Sequence, residues 1–84
     1  MLKVLFFAQI RERLDCASLE LDFPADGIDV DTLLGQLCQQ HGALWQEILT
    51  QDNIIRAVNQ SVVEGSPPLQ DGDEVAFFPP VTGG

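Results

Sequence analysis

The chain has 84 residues, so it is one domain with room for a single modest core. Its apolar share of 45% suffices for that core, but its longest apolar runs, such as Val4-Leu5-Phe6-Phe7-Ala8, fall far short of the roughly 20 residues a membrane span needs. Thirteen acidic residues against four basic ones (net −9) exclude a phosphate-neutralising nucleic-acid surface and attraction to an anionic membrane, leaving charge that keeps the protein soluble or steers it to a basic patch on a protein partner.

Met1-Leu2-Lys3 runs straight into a strand-like segment without a signal-peptide pattern, so the expected location is the cytoplasm. From Leu2 to Ala8 the residues are β-formers with apolar side chains on both faces, which predicts a central strand covered on both sides. Gln9 to Leu14 fits a short helical turn. Leu19, Leu21 and Phe23 alternate with Ser18, Glu20 and Asp22, the pattern of a half-buried strand, and Pro24 and Gly27 end it. Asp29 or Asp31 then caps a helix. Val30, Leu33, Leu34, Leu37, Cys38 and His41 share one face of that helix, and Gly42 stops it. A second helical piece covers Ala43 to Thr50 with Leu44, Trp45, Ile48 and Leu49 inward. Ile54 to Val58 and Ser61 to Val63 are two strands around a tight Asn59-Gln60 turn. Pro67-Pro68 blocks regular structure, Asp71-Gly72-Asp73 turns the chain, and Glu74 to Phe78 is the last strand. Pro79-Pro80 cannot donate to a ladder and ends the sheet. The order predicts an α+β fold of the β-grasp (ubiquitin-like) kind: a mixed sheet of about five strands packed on one main helix, its first and last strands adjacent. Residues 1–78 form that domain and 79–84 a flexible, extended tail.

The usual catalytic constellations are hard to assemble from these residues. His41 is the one histidine, and its place at the end of a helix suits a packing residue or a C-terminal helix cation better than a base. Cys16 has no neighbouring cation to make it a thiolate, and Cys38 lies on an apolar helix face. The two thiols and one imidazole cannot supply the four ligands of a zinc site, and a disulfide between Cys16 and Cys38 is unexpected in a reducing compartment. The glycines do not fall in a phosphate-cradling spacing. Neither a resident metal nor a bound cofactor is expected.

The C-terminal end has a different design. Pro79-Pro80 stiffens the exit from the last strand, Val81 and Thr82 favour extended backbone, and Gly83-Gly84 carry no side chains. Such a segment can thread a narrow channel, be gripped through its main chain, and place a carboxylate inside another protein's active site.

Three stretches carry a resemblance: Val4 to Glu12 at the start, Ala57-Val58-Asn59-Gln60 in the middle, and Asp71 to Gly84, which ends Phe77-Phe78-Pro79-Pro80-Val81-Thr82-Gly83-Gly84. Over essentially its whole length the chain resembles the molybdopterin synthase small subunits, a family of ubiquitin-like sulfur carriers. The resemblance implies that an adenylating enzyme of the ubiquitin-activating type (MoeB-like) uses ATP and magnesium to activate the Gly84 carboxylate, and that a sulfur donor converts it to a thiocarboxylate. It implies that the tail then enters the large catalytic subunit (MoaE-like) in a heterotetramer of two small and two large subunits. There the sulfur is delivered to cyclic pyranopterin monophosphate. Gly83 is needed for threading. Pro79, Pro80, Val81 and Thr82 are expected to contact the partner, with Phe7, Val62 and Phe78 as candidates for an apolar docking face. Phe7 and Phe78 are equally open to a reading as core residues, and Arg11 either pairs with an acidic partner residue or is simply solvated. The rival readings are a carrier for a thiamine-type pathway, a ubiquitin-like protein modifier, and a plain interaction module.

Overall fold

Alternation along the first strand decides how the sheet is covered. The computed structural model describes residues 1–51 and 53–79. In β1 (Leu2–Phe6), Leu2, Val4 and Phe6 are buried, while Lys3 is exposed and Leu5 half-buried. Then come α1 (Ala8–Leu14), β2 (Ser18–Leu21), β3 (Ile28–Asp29), α2 (Val30–His41), α3 (Ala43–Leu49), β4 (Ile55–Val58), β5 (Ser61–Val63), β6 (Pro68–Leu69) and β7 (Glu74–Phe78). Five strands form one mixed sheet in the order β2-β1-β7-β4-β5. β1 and β7 run parallel side by side, with Val4 opposite Val75 and Phe6 opposite Phe77. The remaining pairs in this sheet are antiparallel. This is the expected β-grasp, with first and last strands adjacent.

All three helices pack on one face of the sheet. Phe6 and Phe77 stack at 6.0 Å, and Trp45 of α3 meets Phe6 edge-on at 5.3 Å. Val30, Leu33 and Leu37 of α2 close the centre of the core. Among the described residues the other face carries no helix. The expectation that the first strand is covered on both sides is therefore wrong: its second apolar set faces outward, and β7 is the central strand.

Other expectations need correction too. His41 is exposed rather than on the buried stripe of α2. Its ring stacks on Trp45 at 3.8 Å, and it is Trp45, four residues on, that reaches the core. Leu44 is 48% exposed because it falls at the rim of the inward stripe Trp45-Ile48-Leu49. Pro68 does enter regular structure. It lies in β6 opposite Asp29, in a strand too short to need many donors. The first strand ends at Phe6, since Ala8 turns to φ +53 and opens α1, and β2 stops at Leu21, before Phe23.

Of the two candidate caps, Asp29 does the work: its carboxylate accepts from the Thr32 N–H at 2.8 Å. Asp31 instead pairs with Arg56 at 2.7 Å. Asn59 and Gln60 both take positive φ, +51 and +71, as a two-residue hairpin turn matched to strand twist demands. The Asn59 side chain donates to Asp73 Oδ1 at 2.9 Å and accepts from the Glu74 N–H at 3.0 Å. Asp73 in turn accepts from the Gln70 N–H at 2.8 Å. This network ties the β4–β5 hairpin to the turn before β7 and so fixes the register of the strand that leads to the tail.

Candidate functional site: the uncovered sheet face

Register, rather than any one segment, assembles the outer face. Lys3 and Leu5 of β1 stand opposite Glu74 and Ala76 of β7. Ala57 of β4 stands between Ala76 and Val62 of β5. Paired residues share a face, so Leu5, Ala76, Ala57 and Val62 form a row across four strands. Phe7 and Phe78 close one end, their rings stacked at 4.5 Å and inclined by only 7°. Two alanines at the centre, flanked by Leu5 and the phenylalanines on one side and Val62 on the other, make a shallow saddle of about 330 Å³. Val62 is 72% exposed, an unusual position for a large aliphatic side chain.

The structure thus brings Phe7, Val62 and Phe78 together and resolves the open choice for the two phenylalanines. Both are half-buried on the outer face, not in the core. Leu5, Ala57 and Ala76 were not singled out from sequence. Their signal is an apolar residue at the outward position of three paired strands, legible only once the register is known. Arg11 is exposed in the last turn of α1 and makes no ion pair among the described residues. Pro79 is half-buried at the point where the chain leaves β7, in a notch shared with Ile10, Arg13, Ile48 and Ile54. Pro80, Val81, Thr82, Gly83 and Gly84 lie outside the described residues.

The face offers packing rather than acid–base chemistry. Of its residues only Lys3 and Glu74 are ionisable. Cys38 is half-buried on α2, on the far side of the sheet, and burial raises its thiol pKa, which favours the thiol over the thiolate. Cys16 is half-buried, its thiol 3.5 Å from the Ser18 carbonyl oxygen. Among the described residues no group of three His, Cys, Asp or Glu side chains is placed to hold a metal ion, and no helix is long and apolar enough to cross a membrane.

The ThiS family model matches residues 4–84. A molybdopterin synthase sulfur carrier subunit from Escherichia coli is 46% identical over 86 residues, covering all of both chains. Among solved structures, the small archaeal modifier protein SAMP1 of Haloferax volcanii superposes with a TM-score of 0.78 at 24% identity, covering 99% of this chain and 98% of that one, a likeness of fold. A chain from the complex of subunits 1 and 2 of the molybdopterin-converting factor of Helicobacter pylori superposes with a TM-score of 0.65 at 25% identity, covering 99% of this chain and 97% of that one.

Proposed function

The chain belongs to the ThiS family, and we infer that it is the sulfur carrier subunit of a molybdopterin synthase. The observation that carries this reading is the bare apolar face whose far end, Phe78, stands immediately before Pro79 and the tail. A protein that delivers its own C-terminus must bind its partners close to where that C-terminus leaves the fold. The stacked Phe7–Phe78 pair gives such a partner a rigid apolar anchor beside the exit.

The reaction follows from the chemistry of the tail. The Gly84 carboxylate is a poor acyl donor because oxide is a poor leaving group. An adenylating enzyme supplies ATP and magnesium; the carboxylate oxygen bonds to the α-phosphorus and pyrophosphate departs. Sulfur delivered at the sulfide level (HS⁻) then attacks the acyl carbon, its proton is lost to water, and AMP leaves with the electron pair of the broken C–O bond. The resulting thiocarboxylate is ionised at neutral pH, so it is a nucleophile without a neighbouring base. Inside the large catalytic subunit it is shielded from hydrolysis until its sulfur has bonded to cyclic pyranopterin monophosphate in place of an oxygen substituent. Water then attacks the Gly84 acyl carbon, the C–S bond breaks with its electron pair on sulfur, and the carboxylate is returned. Glycine at 83 lets the last residues pass a channel too narrow for a side chain. Pro79, Pro80, Val81 and Thr82 line the approach, and Arg11 pairs with a carboxylate of the partner. The likeness to a subunit from a two-subunit complex supports a large-subunit partner for this chain. A heterotetramer of two small and two large subunits is the assembly this reading carries. Its compartment is the cytoplasm, where the unpaired thiols of Cys16 and Cys38 would stay reduced.

The test is the intact mass of the protein before and after incubation with ATP, an activating enzyme and a sulfur donor. We expect the gain of one oxygen-to-sulfur exchange at Gly84 and none when Gly84 is deleted; the loaded chain then converts cyclic pyranopterin monophosphate in the presence of the large subunit. The archaeal modifier fold favours one alternative, isopeptide transfer to lysines. High-mass conjugates carrying the Gly84 acyl group, with no sulfur gain, would select it.

A further inference from the structure

The outer face is one surface of the sheet; its β5 edge is another, at right angles to it. A two-residue turn closes on a hydrogen-bonded pair, so Val58–Ser61 and Arg56–Val63 direct their main-chain groups into the β4–β5 ladder. Ala57–Val62 between them is the non-hydrogen-bonded pair. The bond from the Asn59 N–H to the Glu74 carbonyl (2.8 Å) confirms this phase, because odd-numbered residues of β4 and its turn face β7. The N–H and C=O of Val62 therefore point outward from the sheet, with no strand beyond them among the described residues.

Natural edges are blunted by lysine, proline or bulges, and Ser61-Val62-Val63 has none of these. The main chain beyond the strand is tied to β4 and α2 instead: Arg56 donates to the Gly65 carbonyl at 2.8 Å, and the Asp31 N–H donates to Ser66 Oγ at 2.8 Å. Beside this edge, between the helices and the end of the sheet, lies a hollow of about 700 Å³. Leu34, Leu49, Ile54 and Val63 give it apolar walls, and Asp31 and Glu64 are exposed at it. Arg56 is held by Asp31, so the local balance stays negative, as does that of the whole chain at −9.

We propose that the β5 edge and its hollow form a second docking surface, which takes an extended, lysine- or arginine-bearing segment of a partner protein by strand addition. The Val62 main chain supplies the hydrogen bonds. An aliphatic side chain of the added strand enters the hollow, and its basic neighbours meet Glu64 and the negative field. The Val62 side chain stays on the outer face while its main chain serves the edge, so both surfaces can be occupied together. This goes beyond the docking of the outer face: a second protein can be held near the root of the tail while the first is bound.

The probe is the capped peptide Lys-Val-Lys-Val-Lys titrated into the full chain labelled with ¹⁵N, with Glu-Val-Glu-Val-Glu as control. Expected are saturable shifts centred on Val62, Val63 and Glu64, slowed exchange of the Val62 N–H, and severalfold weaker binding at high salt. Glu64→Lys, folded by the criterion of unchanged shifts elsewhere, binds the basic peptide about threefold more weakly and gains affinity for the acidic one. Equal binding of the two peptides, shifts confined to Leu5, Phe7 and Phe78, or no saturation at millimolar peptide each overturn the proposal. So does a Val62 signal that moves with protein concentration alone, which would give the edge to a second copy of this chain.

Discussion

Val62 separates docking from folding better than any other position. Its side chain is already 72% exposed in the free protein, so little of the core depends on it. Removing its two outer methyls in Val62→Ala forfeits about 1 kcal/mol of the burial available on binding, a loss of about fivefold in affinity for the large subunit. Val62→Asp does more, because a carboxylate must be desolvated against an apolar partner. We expect a penalty of about 3 kcal/mol or more, at least about a hundredfold in Kd. The fold is affected less: aspartate is a poor strand residue, with a cost of about 1 kcal/mol. The assay is calorimetric titration with the large subunit alongside thermal unfolding of each variant. If Val62→Asp binds within twofold of the parent while remaining folded, the outer face is not where the partner sits. If it loses as much stability as affinity, Val62 is a structural residue and the reasoning fails.

Three further outcomes follow from the turns and caps. Asn59→Ala removes the bonds to Asp73 and to the Glu74 N–H; the loss of about 1–2 kcal/mol should appear in denaturant unfolding and as faster hydrogen exchange at the start of β7. Gln60 sits at φ +71, so Gln60→Gly should raise the melting temperature by a few degrees, about 0.5–1 kcal/mol of relieved strain; a lower melting temperature would show that the turn is not of the mirror-image type. Hydrogen bonds from Thr32 hold the Asp29 carboxyl below its ordinary value of 3.8. Its contribution is therefore complete above that value and is lost as pH falls through the lower folded-state one. Asp29→Asn keeps an acceptor at the cap and does not titrate, so the parent should lose stability relative to the variant only on acidification below 3.8. Parallel acid-unfolding curves would remove Asp29 from that role.

Local rules sufficed wherever one residue's conformation or period decided the outcome. The turn at Asn59-Gln60, the end of the sheet at Phe78, the cap choice narrowed to Asp29 or Asp31, and the amphipathic stripe from Val30 to Leu37 are all of that kind. They fail where a face's fate depends on what lies across it. Leu5 and Phe7 are as apolar as Val4 and Phe6, and nothing in the order of residues says which set is covered. The three helices settle on one side, and that alone turns half of an apolar strand into an exposed surface. The same holds for the saddle. Ala57 and Ala76 are unremarkable in sequence, but cross-strand register sets them side by side and lets Phe7, Phe78 and Val62 stand around them. Composition and chain order determined by themselves that this is a small acidic β-grasp chain. Which apolar residues hold it together and which it offers to others was decided only by the packing, because burial is a property of pairs of surfaces and not of a residue.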